Sequence, residues 1–245
     1  MNREELQKLY RLEQTYWWFV GRRAIIKAIL GKHLLGGNKK LNILDFGSGT
    51  GGNFPLLSQF GEVLGVEVSK HAINLSKDNF KDFKVYRIRL NEPCPFAERS
   101  FDLIALLDVL EHVENDQKLI LELKPLLKKG GMFLLTVPAY QWLWSAHDEV
   151  LGHFRRYSRS DIKEKLVDLG LRIKYSTYII SSVWPIVVIY RLINQKPETS
   201  YVNLPSSANY FLIFLLKVEA LLLKYIRFSF GTSVLILAQT NENGL

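Results

Sequence analysis

Residues 41–52 read LNILDFGSGTGG, a short apolar run that ends in an aspartate and a phenylalanine and leads into four glycines. An apolar run of this length, bounded by glycines, is typical of a buried strand of a parallel sheet. Glycines directly after such a strand let the backbone turn tightly and approach a ligand closely at the start of the next helix. The segment therefore predicts a strand–loop–helix unit that binds a nucleotide-like ligand.

Strand-like and helix-like segments alternate outward from this unit. The predicted strands lie at residues 41–46, 62–68, 85–90, 101–107, 132–138, 171–180 and 233–240. The predicted helices lie at residues 4–30, 53–60, 72–79, 116–127 and 161–169. We expect Gly21 to break the first helix, Gly130 and Gly131 to end the fourth, and Ser158 or Ser160 to cap the fifth. The alternation predicts an α/β protein with a mostly parallel sheet that is covered on both faces.

Two apolar blocks, at residues 183–193 and 210–226, do not fit the alternation. Lys217, Glu219 and Lys224 interrupt the second block, and a charge in the middle of a membrane span costs about 3 kcal/mol. We therefore predict no membrane-spanning helix, and the blocks form either an interfacial helix or a cap packed on the sheet. The predicted organisation is one domain over 1–245, with an N-terminal helical cap at 1–38 and an apolar insertion at 182–229.

Composition limits the class of protein and its partners. The chain has 245 residues and a net charge of +8, which favours anionic partners such as a membrane surface, nucleic acid or a phosphorylated substrate. Its single cysteine, Cys94, excludes a disulfide framework and a cysteine-based zinc site. Since no apolar stretch follows the charged N-terminus, we expect a cytoplasmic protein, either free or at the inner face of the membrane. The sequence leaves the oligomeric state open.

The glycine loop has an acidic counterpart. Gly47, Gly49 and Gly52 match the dinucleotide fingerprint, and Glu67 ends the next predicted strand, where a carboxylate binds ribose hydroxyls. Asp45, however, would lie unfavourably beside a pyrophosphate, and no second nucleotide-binding half is visible. An adenosine with a zwitterionic, sulfonium-bearing tail fits better than a nicotinamide dinucleotide.

These stretches carry a family resemblance. Residues 43–51 and 65–69 resemble motifs I and II of the class I S-adenosylmethionine-dependent methyltransferases, and residues 101–113 and 126–134 resemble their fourth-strand motif and the segment before the fifth strand. The resemblance implies a Rossmann-like fold with a mostly parallel seven-stranded sheet, and a methyl transfer that leaves S-adenosylhomocysteine. The stretches at 16–23 and 137–148 are similar to a bacterial and archaeal small-molecule subgroup that is often associated with surface-glycan or lipid biosynthesis.

The family pattern implies roles for particular residues. Glu67 would hold the ribose, Asp45 would line the methionine moiety, and Arg22 would pair with the cofactor's carboxylate. Asn91 departs from the pattern, because the family usually has an acidic residue there for the adenine amino group. The cofactor-binding residues implied in this way are Trp17, Arg22, Asp45, Gly47, Gly49, Gly51, Glu67, Val68, Asn91, Asp108 and His112.

The loop after the fifth strand holds the candidate acceptor residues. His147, His153 and Asp148 are the candidate catalytic groups, because proton removal from a hydroxyl needs a base and histidine has a suitable pKa. The alternative is that both histidines only bind backbone in a long loop. The basic run at 155–159 is either a phosphate contact or a solvated helix start; the predicted substrate contacts are Arg155, Arg156 and Tyr157. The spacing of His147, Asp148 and His153 matches no compact ligand pattern, so we predict no metal site.

The acceptor is the least determined part of the prediction. The apolar insertion and the basic run favour O-methylation of a small, lipid-linked or nucleotide-linked glycan acceptor, with possible association with a membrane surface. An RNA methyltransferase is the first alternative, but the chain lacks a basic tail, so nucleic acid is an unlikely partner. A non-catalytic cofactor-binding scaffold is the second.

Overall fold

The computed structural model describes residues 3–34, 40–89, 94–193 and 204–240. Its strands are β1 (Leu41–Phe46), β2 (Gly61–Glu67), β3 (Lys84–Arg87), β4 (Phe101–Leu107), β5 (Leu127–Pro138), β6 (Leu171–Ile179) and β7 (Ser233–Thr240). Its helices are α1 (Arg3–Leu12), α2 (Trp17–Leu34), α3 (Phe54–Leu57), α4 (Lys70–Asn79), α5 (Asp116–Leu123), α6 (Ala146–Leu151), α7 (Arg159–Asp168), α8 (Trp184–Ile193) and α9 (Ser206–Leu222). Short 3-10 turns lie at Leu110–His112, Lys124–Leu126 and Gln141–Leu143.

The seven strands form one sheet in the order β3-β2-β1-β4-β5-β7-β6. β7 runs antiparallel to both of its neighbours, β5 and β6. All pairings among β1 to β5 are parallel. The predicted Rossmann-like α/β fold is confirmed. Strand order reverses between β1 and β4, and an open α/β sheet binds its ligand at the carboxyl ends of the strands beside such a reversal.

The strands alternate their side chains between two apolar layers, as the pleat requires. Ile43 and its neighbours on the same face pack against α2, α3 and α9. Leu44 and its neighbours on the opposite face pack against α5 and α7. Both faces of the sheet are therefore covered, and the carboxyl ends of β1 and β4 remain as the place where polar side chains can meet.

Two predictions that a glycine interrupts or ends a helix are wrong. Gly21 lies inside α2, where a Cβ would come within 2.1 Å of Leu216 Cδ1, so this glycine lets α9 approach α2 closely. Gly130 and Gly131 lie inside β5, at an irregularity in its register with β4, and Gly130 has φ +72°. In both places glycine serves a tertiary contact or a strand irregularity and does not end a helix.

The cap of α7 is as predicted. The Ser158 side chain accepts a hydrogen bond from the Asp161 amide, and the Asp161 carboxylate accepts one from the Ser158 amide. This reciprocal capping box satisfies donors that a helix start otherwise leaves unpaired.

The apolar blocks form α8 and α9, which lie between β6 and β7. Ile213, Leu216 and Ala220 of α9 pack into the layer shared with α2. Glu219 is 1% exposed, and its carboxylate accepts hydrogen bonds from the Ser181 and Ser182 amides. Among the described residues, no helix has both the length and the apolar character to span a bilayer.

Candidate functional site

The loop after β1 turns through glycines with positive φ, at +76° for Gly47 and +55° for Gly49. A Cβ at Gly47 would lie 2.7 Å from Val109 Cγ2, so packing requires glycine there. A Cβ at Gly49 would meet nothing within 4 Å. The backbone of Gly49 therefore faces open space, into which a ligand can come close.

Glu67 at the end of β2 is fixed by backbone amides. Its Oε2 accepts from the Gly49 amide at 2.9 Å, and its Oε1 accepts from the amides of Val68 at 2.9 Å and Ser69 at 2.8 Å. Three such donors hold the carboxylate in place beside the glycine loop. Val68 itself is exposed and reaches Glu67 through its backbone.

Asp45 is buried at the end of β1, with 1% of its surface exposed. Its Oδ2 has no hydrogen-bond partner among the described residues. Burial raises the pKa of Asp45 to about 7; the charge of Arg22 opposes the rise, and the carboxylate of Glu67 adds to it. A buried carboxylate with a free oxygen is costly alone and suits a cationic ligand.

Arg22 reaches from α2 over the end of β4, where its guanidinium pairs with the Asp108 carboxylate. The guanidinium also lies 4.5 Å from the centre of the Trp18 ring. Asp108 has φ +58°, and its Oδ1 accepts from the Thr136 hydroxyl at 3.0 Å. The N-terminal helices and the ends of β4 and β5 thus meet at the same point of the crevice.

The structure gives no support for three of the residues that are predicted to bind the cofactor. Trp17 belongs to the apolar layer shared by α2 and α9, and its neighbour Trp18 is the ring beside Arg22. Gly51 is a packing glycine, because a Cβ there would lie 2.7 Å from Phe80 Cδ2. Asn91 lies outside the described residues.

Glu13 is a site residue that sequence reasoning missed. It is 4% exposed, and its Oε2 accepts from the Thr50 hydroxyl at 2.6 Å. A Cβ at Gly52 would lie 2.5 Å from the same oxygen, so the carboxylate lies against the glycine loop. Burial raises the pKa of Glu13 to about 6, although Thr50 and Arg23 oppose the rise. Glu13 lies outside the family-like stretches described above, so no sequence signal marks it.

Asp148 is the centre of a second polar cluster, after β5. Its side chain is fully buried, and its Oδ1 lies 2.8 Å from both His153 Nδ1 and Arg156 Nε. Its Oδ2 accepts from the Ser145 amide and lies 3.8 Å from a nitrogen of Arg191. Burial opposes ionisation, but the hydrogen bonds from His153 and Arg156 hold the pKa of Asp148 well below its usual range. A carboxylate paired in this way positions other groups and is no proton acceptor, which corrects its prediction as a catalytic group.

The two candidate histidines differ. Burial and the charge of Arg191 lower the pKa of His147 to about 3, so this ring stays neutral and is a weak base. His153 binds Asp148 through Nδ1 at 2.8 Å. That contact orients the ring through Nδ1 and leaves Nε2 for another partner. Of the two, His153 is the better placed to receive a substrate group.

The side chains of the basic run after His153 mostly pair with other groups of the protein. Arg156 Nε binds Asp148, and its NH1 donates to the Ala139 carbonyl at 3.0 Å. The Tyr157 hydroxyl donates to Asp116 at 2.9 Å, and the residue is 2% exposed. Both residues are buried and pair within the protein, which argues against the prediction that they contact substrate. Arg155 keeps a partly exposed side chain, which donates to the Glu114 carbonyl.

The turn after β4 joins the two clusters. The Phe154 amide donates to the Glu111 carbonyl at 2.7 Å, and the rings of His112 and His153 lie 4.7 Å apart between centres. Burial raises the pKa of Glu111 to about 8, and among the charges that oppose the rise is Arg22, which also acts on Asp45. The glycine-loop cluster and the histidine cluster therefore lie on either side of the turn after β4, and they are called below the two ends of the crevice.

Comparison with known proteins shows which family this chain resembles. A family model described as "Methyltransferase domain" matches residues 44–135. The ubiquinone biosynthesis O-methyltransferase of Rickettsia typhi is 29% identical over 201 residues, which cover 71% of this chain and 81% of that protein. Residues 44–135 of this chain therefore form a methyltransferase domain of the class I S-adenosylmethionine-dependent kind.

Other similar proteins cover this methyltransferase to different extents. The demethylmenaquinone methyltransferase of Tropheryma whipplei is 29% identical over 126 residues, 51% of this chain and 48% of that protein, so the chain spans about half the length of this curated relative. A chain of the solved complex between the Haloferax volcanii Trm112 methyltransferase activator and a methyltransferase aligns with a TM-score of 0.62 at 16% identity, covering 99% of both chains. That likeness shows the shared fold.

S-adenosylmethionine is the cofactor of this methyltransferase, and the crevice fits it. The free oxygen of Asp45 matches a positively charged tail, and the open space at Gly49 admits that tail beside the backbone. The fixed carboxylate of Glu67 matches ribose hydroxyls.

Proposed function

We propose that this methyltransferase O-methylates an amphipathic small molecule whose apolar part lies at a membrane surface. S-adenosylmethionine supplies, when bound, a methyl carbon on a positively charged sulfur. The work of the protein is then to align this carbon with an acceptor hydroxyl and to keep water away from both.

The cofactor end of the crevice supplies binding and charge. We assign Glu67 to the ribose hydroxyls, because three backbone donors hold its carboxylate ready to accept further hydrogen bonds. We assign Asp45 to the positive charge of the ligand, because its buried Oδ2 has no other partner among the described residues. Arg22 pairs with Asp108 at the end of β4, and its charge also acts on Asp45, so we assign it to the ligand's carboxylate.

The acceptor end supplies orientation. We assign His153 to the acceptor hydroxyl, since Asp148 fixes the ring and leaves Nε2 for the substrate. Asp148 is a positioning residue, and Arg156 in turn holds Asp148. Because the Asp148 side chain is fully buried and the His153 side chain is 7% exposed, the hydroxyl would be received in a site with little competing water.

The observation that carries the acceptor class is the apolar surface of α8, α9 and the segment after them. Thirteen of the twenty exposed large apolar side chains of the described residues lie there. They are Ile186, Ile189, Tyr190, Ile193, Tyr210, Phe211, Phe214, Val218, Leu221, Leu222, Tyr225, Ile226 and Phe230. A monomeric protein rarely exposes so large an apolar surface without a partner.

Charge indicates what covers this surface. Lys217, Lys224 and Arg227 lie within the same segment, and cations beside an apolar helix face are typical of helices that lie on anionic lipid. The lipid surface is therefore the occupant that we propose, with the apolar helices at the level of the acyl chains.

A row of aromatic rings leads from this surface towards the loop after β5. Trp142 lies 5.5 Å from Tyr140 and 6.4 Å from Trp184, and Trp184 lies 5.3 Å from Phe230, between ring centres. Such a row suits an apolar or ring-bearing acceptor that enters from lipid. Two similar proteins are named for demethylmenaquinone and for ubiquinone biosynthesis, which supports an acceptor of this kind. A lipid-linked glycan has the same combination of apolar tail and hydroxyl.

The test is methyl transfer into fractionated cell extract. The full chain is incubated with methyl-labelled S-adenosylmethionine and extract, and the product is divided into organic, small aqueous and macromolecular fractions. We expect label in the organic fraction with wild type and with Glu62→Ala, an exposed control on β2, and none with Glu67→Ala. Mass spectrometry of the labelled lipid separates a ring acceptor from a glycan. Label confined to nuclease-sensitive material would overturn the proposal.

A further inference from the structure

Three side chains of metal-ligand type meet where the turn after β4 approaches the loop after α6. Glu111, His112 and His153 each offer one ligand atom, and these three atoms all lie within 4.8 Å of one another. Two segments more than forty residues apart supply them, and the hydrogen bond from the Phe154 amide to the Glu111 carbonyl holds the segments together. The grouping is therefore built by the fold.

The imidazole of His153 has an outer partner on one nitrogen, because its Nδ1 binds the buried carboxylate of Asp148. The backbone of Gly152 lies near the His112 ring, and the two rings contact each other. Metal-ligating histidines nearly always use one nitrogen for a carboxylate or carbonyl, which orients the ring and leaves the other nitrogen for the metal. His153 has that arrangement.

The carboxylate of Glu111 completes the set. It is 1% exposed, and its Oε2 has no hydrogen-bond partner among the described residues. The nearby acids differ in this respect, because Asp108 pairs with Arg22 and Asp148 pairs with Arg156. A buried carboxylate oxygen without a partner, beside two imidazoles, is the arrangement that a cation would satisfy.

We propose that Glu111, His112 and His153 bind a divalent first-row transition-metal ion such as Zn²⁺, Mn²⁺ or Fe²⁺. Two nitrogens and one carboxylate oxygen suit these ions better than Mg²⁺ or Ca²⁺, which prefer oxygen ligands. Three protein ligands also leave at least one coordination position open, as in metal sites that bind a substrate.

The open position gives the ion a place in the reaction, and this part rests on the proposed function. A hydroxyl oxygen bound to the ion becomes more acidic and stays oriented towards the cofactor end of the crevice. His153 then receives the acceptor through the ion. Binding of the ion itself requires neither the cofactor nor the acceptor.

Cobalt binding to the full chain tests the site directly. The purified protein is treated with a chelator, dialysed, and titrated with Co²⁺ without cofactor or acceptor, while visible absorption reports nitrogen and oxygen coordination. We expect one Co²⁺ per chain, displaced by Zn²⁺ and not by Mg²⁺. Glu111→Gln and His153→Gln should each weaken binding at least about 100-fold, and Asp148→Asn about 10- to 100-fold. His33→Gln, at the far end of α2, should bind like wild type.

Two results would overturn the inference. One is the absence of saturable Co²⁺ absorption in wild type; the other is unchanged binding in Glu111→Gln and His153→Gln that melt like wild type. If those variants do not fold, anomalous scattering from zinc-soaked wild-type crystals decides, by a peak among the three side chains or by none there. Methyl transfer is measured separately, so failure of the acceptor proposal does not imitate failure of the metal site.

Discussion

At the glycine-loop end of the crevice, Glu67 is held by backbone amides, and the most distant of them, that of Gly49, is 18 residues away. At the histidine end, one backbone amide, that of Ser145, binds Asp148, and its other partners are side chains, including Arg191 from the insertion between β6 and β7. The first end depends on a local backbone conformation, and the second depends on a buried ion cluster drawn from several elements. A substitution at the glycine-loop end should therefore affect only the replaced residue's own contacts. A substitution in the ion cluster at the histidine end should also disturb the other members of that cluster.

The largest expected effect separates the two ends. His153→Gln removes the group that receives the acceptor, so the rate constant kcat should fall about 10²- to 10⁴-fold. The cofactor dissociation constant should stay within about twofold, because Glu67 and Asp45 are untouched. Single-turnover methyl transfer and a binding titration measure the two quantities, with His33→Gln as control. A parallel loss of cofactor affinity would show that the two ends do not act separately.

The next effect reverses that pattern. Glu67→Gln removes the negative charge that strengthens two hydrogen bonds to the ribose. The binding free energy should weaken by about 3 kcal/mol, so cofactor affinity should fall about 100-fold. Glu62→Gln changes the same residue type at an exposed position of the same strand and should bind like wild type. Isothermal titration measures both. Equal affinities in the two variants would contradict the assignment of Glu67.

A third test concerns the apolar surface beside the histidine end. Phe211→Ser with Phe214→Ser removes two exposed rings from α9, and about 2 kcal/mol of interfacial burial should be lost, so partition into anionic phosphatidylglycerol vesicles should fall about 30-fold. Leu121→Ser with Val167→Ser removes equally exposed apolar side chains from α5 and α7. If both pairs reduced vesicle binding alike, the surface of α8 and α9 would not be the lipid-binding face.

The smallest effect is a pH dependence at the glycine-loop end. Because burial raises the pKa of Asp45 to about 7, the free protein carries a proton there below that pH, and this proton must leave before a cationic ligand binds. Cofactor affinity should be constant above about pH 7 and about tenfold weaker one unit below it. The raised pKa also means that this group's contribution to folding stability falls as pH rises from about 4 to 7.

Asp45→Asn is the matched test of that dependence. It should bind the cofactor more weakly but with an affinity that does not change between pH 6 and 8. Titrations at both pH values measure it, with wild type beside the variant. A profile in Asp45→Asn as steep as in wild type would assign the dependence to another group.

Elements set by local pattern were predictable from the sequence. The bounds of β4 and β7 are as predicted, because each is a nearly continuous apolar run with polar or turn residues at its ends. Gly21 and Gly130 misled the prediction, because a glycine needed for a close helix contact or a strand irregularity looks the same as one that ends a helix.

The same division holds in the site. Asp45 and Glu67 could be proposed from the sequence because they lie at fixed places around a glycine loop. Arg156 and Tyr157 were given the wrong surroundings, because the acids that pair with them, Asp148 and Asp116, come from other elements. The buried Glu111 carries no signal in the sequence that separates it from an exposed glutamate, since its burial depends on the packing of the loop after α6.

The contact between α2 and α9 has a consequence for the order of folding. The Trp17 amide, in the first turn of α2, donates to the side chain of Asn209, 192 residues later, and the Asn209 amide group donates in turn to the Thr15 carbonyl. Closing a loop of that length is entropically costly, so these contacts form late. During synthesis we therefore expect α2 to complete its packing only after α9 has left the ribosome, and Arg22, which α2 carries to Asp108, to reach its final place at that stage.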